Sequence, residues 1–190
     1  MNDVQGETLP VDLESKPSIG HNAAENLMSN STICPKCDAK GRKVERTTLE
    51  SLLHPSAKAL LPAGPFRFCR NETCDVVYFD ELHLVLFKTN DVMVPVFQKT
   101  SAPDRLVCYC FQHTVSGIGQ EIMEHGQTDV LESIAFGCRS GLDDCERNNP
   151  QGACCLANVR QVVKAALEAQ DKANQVSMPC CSCQSEDEES

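Results

Sequence analysis

The spacing of apolar positions changes twice along the chain and so divides it. Residues 1–30 carry only isolated apolar side chains among Asp, Glu, Asn, Ser, Gly and Pro. These are too few to offset the entropy of ordering, and a disordered acidic tail is expected. Thr47-Thr48-Leu49-Glu50 reads as a capping box opening a short helix that Pro55 should disturb. Beyond a turn at Pro62-Ala63-Gly64-Pro65, the runs Phe66–Phe68, Val76–Phe79 and Leu84–Phe87 are strand-like, with Asp80 and Glu81 as a hairpin connection. Val92–Phe97 offers another strand, which Pro95 would confine to an edge. Lys99–Asp104 reads as a linker.

From Thr114 onward the period is helical. Thr114 caps a helix carrying Val115, Ile118 and Ile122 on one face, and Gly126 is its natural stop. Asp129 and Glu132 form a second capping box ahead of Val130, Leu131 and Ile134. Leu156, Val159, Val163 and Leu167 space a longer helix to about Ala173. A polar segment with three cysteines and a run of acids closes the chain over residues 176–190.

Composition adds a constraint that this pattern lacks. Thirteen of the 190 residues are Cys, against 7 Phe and no Trp. Cores this thin need staples, either disulfides or metals. The first residues lack a basic start and an apolar run, so no secretory leader is expected, and no run of eighteen apolar residues occurs in the sequence. Reduced thiols in a cytoplasmic protein without membrane insertion are therefore expected, and the odd count suits a disulfide framework poorly. Metal binding is the default reading. The formal charge is −10, but residues 1–30 and 186–189 hold most of it, so the cysteine-bearing middle is near neutral. With no block of Lys and Arg to neutralise phosphates, nucleic acid is not an expected partner. A Ser/His/Asp signature, a phosphate-binding glycine loop and an HExxH motif are all missing, so the expectation is a protein that is not an enzyme.

The cysteine spacings carry the chemistry. Cys34-Pro35-Lys36-Cys37, followed by Gly41, is a zinc-knuckle pattern, and Cys69-x4-Cys74 lies between strand-like runs. Two such pairs can converge as the four sulfurs of a closed structural Zn(II) site. Cys108-Tyr109-Cys110 has a one-residue gap suited to two thiolates on an extended stretch sharing one iron. Its distant partners lie in Cys145-Glu146-Arg147-Asn148-Asn149-Pro150-Gln151-Gly152-Ala153-Cys154-Cys155, where Pro150 and Gly152 turn the chain into the last helix. A four-thiolate [2Fe–2S] site is the reading of these residues, and a second zinc site is the plain alternative. Cys138 reads as a small core residue, and His113 as a weak candidate for a substitute ligand.

Taken in order, CPKC, FRFCRNETCDVVYF, VCYCF and CERNNPQGACC resemble the amino-terminal domain of CopZ-type copper chaperones, and the second half is similar to bacterioferritin-associated ferredoxin (BFD). The resemblance covers residues 34 to about 170. It implies zinc on Cys34, Cys37, Cys69 and Cys74, and a [2Fe–2S] cluster on Cys108, Cys110, Cys145 and one of the doublet Cys154/Cys155, with the family pattern favouring Cys155. The fold it implies is α+β: a disordered tail (1–30), a small zinc-ribbon-like β domain (31–101), a small helical BFD-like domain (102–175) and a cysteine-rich acidic tail (176–190). Archetypal members add a heavy-metal-associated domain with a GMTCxxC copper loop, which these residues do not contain, so copper delivery is not implied intact.

The expected function is handling of copper or another thiophilic metal. The cluster would reduce Cu(II) to Cu(I), and a metal-accepting protein or redox partner would follow. The soft set Cys180, Cys181 and Cys183 is a candidate Cu(I) site. The alternative is a ferredoxin-like electron-transfer adaptor without metal cargo.

Overall fold

The computed structural model describes residues 31–176. The acidic tail expected at 1–30 and the thiols Cys180, Cys181 and Cys183 lie outside the described residues. Two hydrophobic cores organise the remainder, and none of its ten cysteines is in a disulfide.

The first core lies under a four-stranded antiparallel sheet of order β1 (Arg42–Val44), β2 (Phe66–Phe68), β3 (Val76–Asp80) and β4 (Leu86–Lys88). Helices α1 (Arg46–Leu52) and α2 (Pro55–Lys58) fill the connection between β1 and β2. Val44, Leu49, Leu53, Phe66, Phe68, Tyr78 and Phe87 are buried together. All five residues of β3 are buried. Its pairing with β4 shifts between Val76 and Tyr78, a bulge that gives the strand two apolar faces. Val77 and Tyr78 enter the main core, while Val76 and Phe79 pack on Cys34, Cys69 and Cys74.

The second core is built by α3 (Val115–His125), α4 (Val130–Arg139) and α6 (Leu156–Val176), with a two-stranded hairpin of β5 (Leu106–Cys108) and β6 (His113–Thr114) and a single turn, α5 (Cys145–Asn148). Val107, Ile118, Ile122, Val130, Ile134 and Val159 form its centre. Thr114 caps α3 by accepting from the Gly117 amide at 3.0 Å, and Gly126 ends that helix at φ 76°, as the sequence suggests.

Four local expectations need correction. Helix α1 begins at Arg46 behind Glu45, and Thr47 caps nothing. Glu50 is held instead by Arg46 at 2.6 Å, and Thr48 turns inward with its hydroxyl lacking a partner among the described residues. Asp129 does stand at the N-cap of α4, but its side chain accepts no cap hydrogen bond, and the nearby Thr128 hydroxyl accepts from the Val130 amide at 3.2 Å. Val92–Phe97 is not a strand: Val92 makes one bridge to Leu53, and Phe97–Lys99 is a 3-10 turn. Pro95 has no N–H for a ladder, and its carbonyl accepts from the Tyr109 hydroxyl at 2.7 Å. The strand expected from Leu84 starts at Leu86, because Asp80 holds the amides of Leu82 and Val85 in the turn.

The two cores lean on one another. Phe97 packs on the helical core, its amide donating to the Tyr109 hydroxyl at 2.9 Å. The Tyr78 hydroxyl donates to the Pro150 carbonyl at 2.7 Å, and Gln98 to the Gln151 side chain at 2.9 Å. Gly152 sits at φ 62° so close to the first core that a Cβ there would meet Val44 Cγ2 at 2.7 Å.

Candidate metal centres

The first centre is made by two tight turns meeting at the edge of the sheet. In Cys34–Cys37 the Asp38 amide donates to the Cys34 carbonyl at 3.0 Å and the Cys34 amide to Ala39 at 2.9 Å, with Asp38 left-handed at φ 56°. Gly41 lets this turn press on the sheet, since a Cβ would come within 2.6 Å of the Phe79 ring. The second turn is set by Asn71, whose side chain accepts from the Thr73 amide at 3.0 Å and whose carbonyl takes the Cys74 amide at 3.2 Å. Lys36 ties one turn to the other through Asp75 at 2.6 Å.

The result is four sulfurs, those of Cys34, Cys37, Cys69 and Cys74, all within 4.8 Å of one another. Cys37 and Cys69 are 3.6 Å apart. Tetrahedral Zn–S bonds of about 2.3 Å place neighbouring sulfurs about 3.8 Å apart, so the donor set fits a closed Zn(II) site. Burial pushes Cys69 up to about 12 and raises Cys74 as well. At Cys37 burial acts in the same direction, but the Ala39 amide and the thiols of Cys69, Cys34 and Cys74 outweigh it and bring the group down to about 7. Cys69 and Cys74 therefore give up their protons readily only when a cation displaces them.

The second group lies where β5, α5 and the start of α6 meet. Cys108 ends β5, Cys110 follows in the turn, Cys145 opens α5, and Cys155 immediately precedes α6. Cys110 and Cys145 are 3.7 Å apart. Cys108 is hydrogen-bonded to Cys155, and this bond, against burial and with the amides of Phe111 and Cys110, lowers Cys108 to about 7. Cys155 is raised by the same bond and by burial, and Cys145 by burial and by Cys110. Cys108 thus faces Cys155, and Cys110 faces Cys145.

The doublet is asymmetric: Cys155 is 1% exposed and Cys154 lies at the surface. The loop before it is held by two buried carboxamides. Asn149 donates to Ala153 at 2.7 Å, and Gln151 donates to the carbonyls of Ala153 and Cys154. Asn148 reaches Cys110 Sγ at 3.8 Å, and Asp143 accepts from Cys145 at 3.6 Å. From the sequence Asp143 reads as a solvated acid near Cys145, and instead it accepts from that thiol; Asn148, Asn149, Gln151 and Tyr109 did not stand out, the sequence offering only an uncommon density of Asn and Gln between Cys145 and Cys154. Cys138 is half-buried against the helical core, and His113 lies on β6 with no side-chain partner among the described residues.

The turns, the sheet and the four-sulfur cluster define a zinc-binding domain. Residues 31–93 match the CopZ-type family described as a zinc binding domain, and all four cysteines of the first centre fall within the match. The chain is similar to the copper chaperone CopZ of Archaeoglobus fulgidus, 28% identical over 122 residues, which make up 64% of this chain and 57% of the relative. It thus spans a little over half the length of that relative. Its structure is similar to the X-ray structure of the Archaeoglobus fulgidus CopZ N-terminal domain, with a TM-score of 0.59, 26% identity, and coverage of 68% of this chain and 96% of that one.

Proposed function

We propose that the protein handles copper or another thiophilic metal, with Zn(II) on Cys34, Cys37, Cys69 and Cys74 and a [2Fe–2S] cluster on Cys108, Cys110, Cys145 and Cys155 of a BFD-like helical half. One observation carries the second assignment: cysteines from three separate elements converge, Cys110 and Cys145 with sulfurs 3.7 Å apart and buried Cys108 beside buried Cys155. That is the donor pattern of a binuclear cluster, two thiolates to each iron. The amides of Cys110 and Phe111 and the side chain of Asn148 point N–H groups at the sulfurs, which steadies them as thiolates. When bound, such a cluster supplies one electron, the equivalent that takes Cu(II) to Cu(I).

In this reading the chain is a carrier and not an enzyme. It works in a reducing compartment such as the cytoplasm and passes its metal to an accepting protein. Cys180, Cys181 and Cys183 are the candidate Cu(I) ligands. Among the described residues no helix is long and apolar enough to cross a membrane.

A second reading, an electron-transfer adaptor without cargo, draws support from the exposed apolar side chains Phe136 and Leu142, which flank Cys138 near Cys145 in sequence. The deciding experiment is metal analysis with a visible spectrum of anaerobically purified protein, and about one zinc and two irons per chain are expected. Two zincs and a colourless solution would overturn the cluster. Cu(I) titration of the chain with and without residues 177–190 separates carrier from adaptor.

A further inference from the structure

Between the two halves lies a cleft of about 240 Å³ that neither metal centre uses. Arg42 and Arg70 line it from the sheet side, and Cys154, Asn158 and Gln161 from the start of α6. Neither guanidinium has a hydrogen-bond or ion-pair partner among the described residues, and Glu72 is the one carboxylate in the lining. The opposite wall is fixed, because the buried Gln151 accepts from both Gln98 and Asn158 while donating to two carbonyls. Two unpaired cations that can pair carboxylates, carboxamide oxygens that can accept from amine or amide N–H groups, and an exposed thiol form a surface for a small carboxylate- and N–H-bearing molecule that also carries sulfur.

We infer that this cleft binds a low-molecular-weight disulfide bearing carboxylates, with Arg42 and Arg70 pairing its carboxylates and Cys154 capturing half of it as a mixed disulfide. The Cys154 sulfur, as thiolate, attacks one sulfur of the incoming disulfide. The old S–S bond breaks, a new one forms to Cys154, and the other half leaves as a thiolate that takes up the proton Cys154 gave up, so no outside oxidant is needed. The cleft holds a captured group against the loop that carries Cys155, beside the second sulfur group.

The test uses the full chain purified anaerobically with its metals. Glutathione disulfide, which is anionic, and cystamine, which is cationic, are reacted separately, and the Cys154 peptide is followed by mass mapping. Both rates are divided by those of the denatured chain, so that intrinsic reactivity cancels. The anionic reagent should be favoured about tenfold, the effect of two unit charges at close range. Replacing both arginines by Gln should bring the ratio near one while the cystamine rate does not fall. Should that pair of substitutions cost zinc, Gln161→Glu adds a carboxylate to the cleft from the helix side and should lower the same ratio. A ratio near one in the native chain, or one unchanged by these substitutions, overturns the proposal. Bleaching of a coloured protein by Cys154→Ser also overturns it, since Cys154 would then be a metal ligand. Iron analysis of the same preparations keeps the two readings apart: a colourless protein with the tenfold preference loses the cluster alone.

Discussion

The hydroxyl of Tyr78 and the carbonyl of Pro150, 72 residues apart in sequence, are joined by a buried 2.7 Å hydrogen bond. It runs from the central strand of the sheet to the loop between Cys145 and Cys155. Burial holds the phenol far above its ordinary value, so it stays a donor at all working pH. Tyr78→Phe keeps the packing and leaves the Pro150 carbonyl dry and unpaired, which should cost about 1–3 kcal/mol. Thermal unfolding will show it as a lower Tm, and hydrogen exchange should rise in residues 149–155.

Cys37→Ser should remove zinc and destabilise residues 31–99, because metal binding and folding of this half are coupled. The contacts of Tyr78 and Gly152 carry that loss across, so any colour from the second centre should weaken as well. Elemental analysis and the visible spectrum of the variant measure both effects. An unchanged spectrum in zinc-free protein would show that the halves are independent.

Within the doublet, Cys155→Ser should bleach or strongly alter the spectrum and Cys154→Ser should leave it largely intact. Adjacent residues at the start of a helix point about 100° apart, and here one is buried against Cys108 and the other exposed. Absorption and circular dichroism in the visible range are sufficient readouts.

Zinc affinity should rise with pH, since Cys69 at about 12 and the raised Cys74 must each give up a proton to bind. Cys37, lowered to about 7, is already a thiolate above that pH. As pH falls through 7 it takes up a proton too, and the slope of affinity against pH should steepen. For folding without metal the signs oppose: lowered Cys37 contributes stability above its unfolded value of 9.0 that is lost as pH falls to about 7, whereas raised Cys69 and Cys74 contribute below 9.0 and lose it as pH rises. Competition with a chelator at pH 6, 7 and 8 measures the affinity slope, and denaturation of the metal-free chain between pH 7 and 10 measures the folding terms.

Gly137→Ala should destabilise the protein even though Ala is the better helix former by about 1 kcal/mol. A Cβ at this point of α4 collides with the Phe111 ring, which sits next to Cys110. Overpacking of this kind costs about 1–3 kcal/mol. Combining it with Phe111→Leu should recover part of the loss in chemical denaturation.

How much of this was legible in the sequence depended on distance along the chain. The Thr114 cap, the Gly126 stop and the four-cysteine turns are local chemistry, readable from neighbouring residues. Thr47, Asp129 and the run Val92–Phe97 carry equally good local signals and misled. There a competing neighbour won: Arg46 took Glu50, Thr128 took the Val130 amide, and Tyr109 claimed the Pro95 carbonyl. The pairing of Cys108 with Cys155 was not readable, because spacing tells which thiols are near in the chain and not which way a hairpin aims them. Nor were the bonds of Tyr78, Gln98 and Gln151, which join residues dozens of positions apart.

Gly152 has a consequence for local stability. Its left-handed backbone fits against Val44 and Thr48 only once the first sheet and helix are in place. The segment from Asn149 to Cys155 is therefore packed on a surface supplied by residues that precede it in the chain, on the main core of the first half. Loss of order in the first half should therefore also loosen the 149–155 segment that packs on it, which limited proteolysis of metal-free protein would reveal as cutting in that loop.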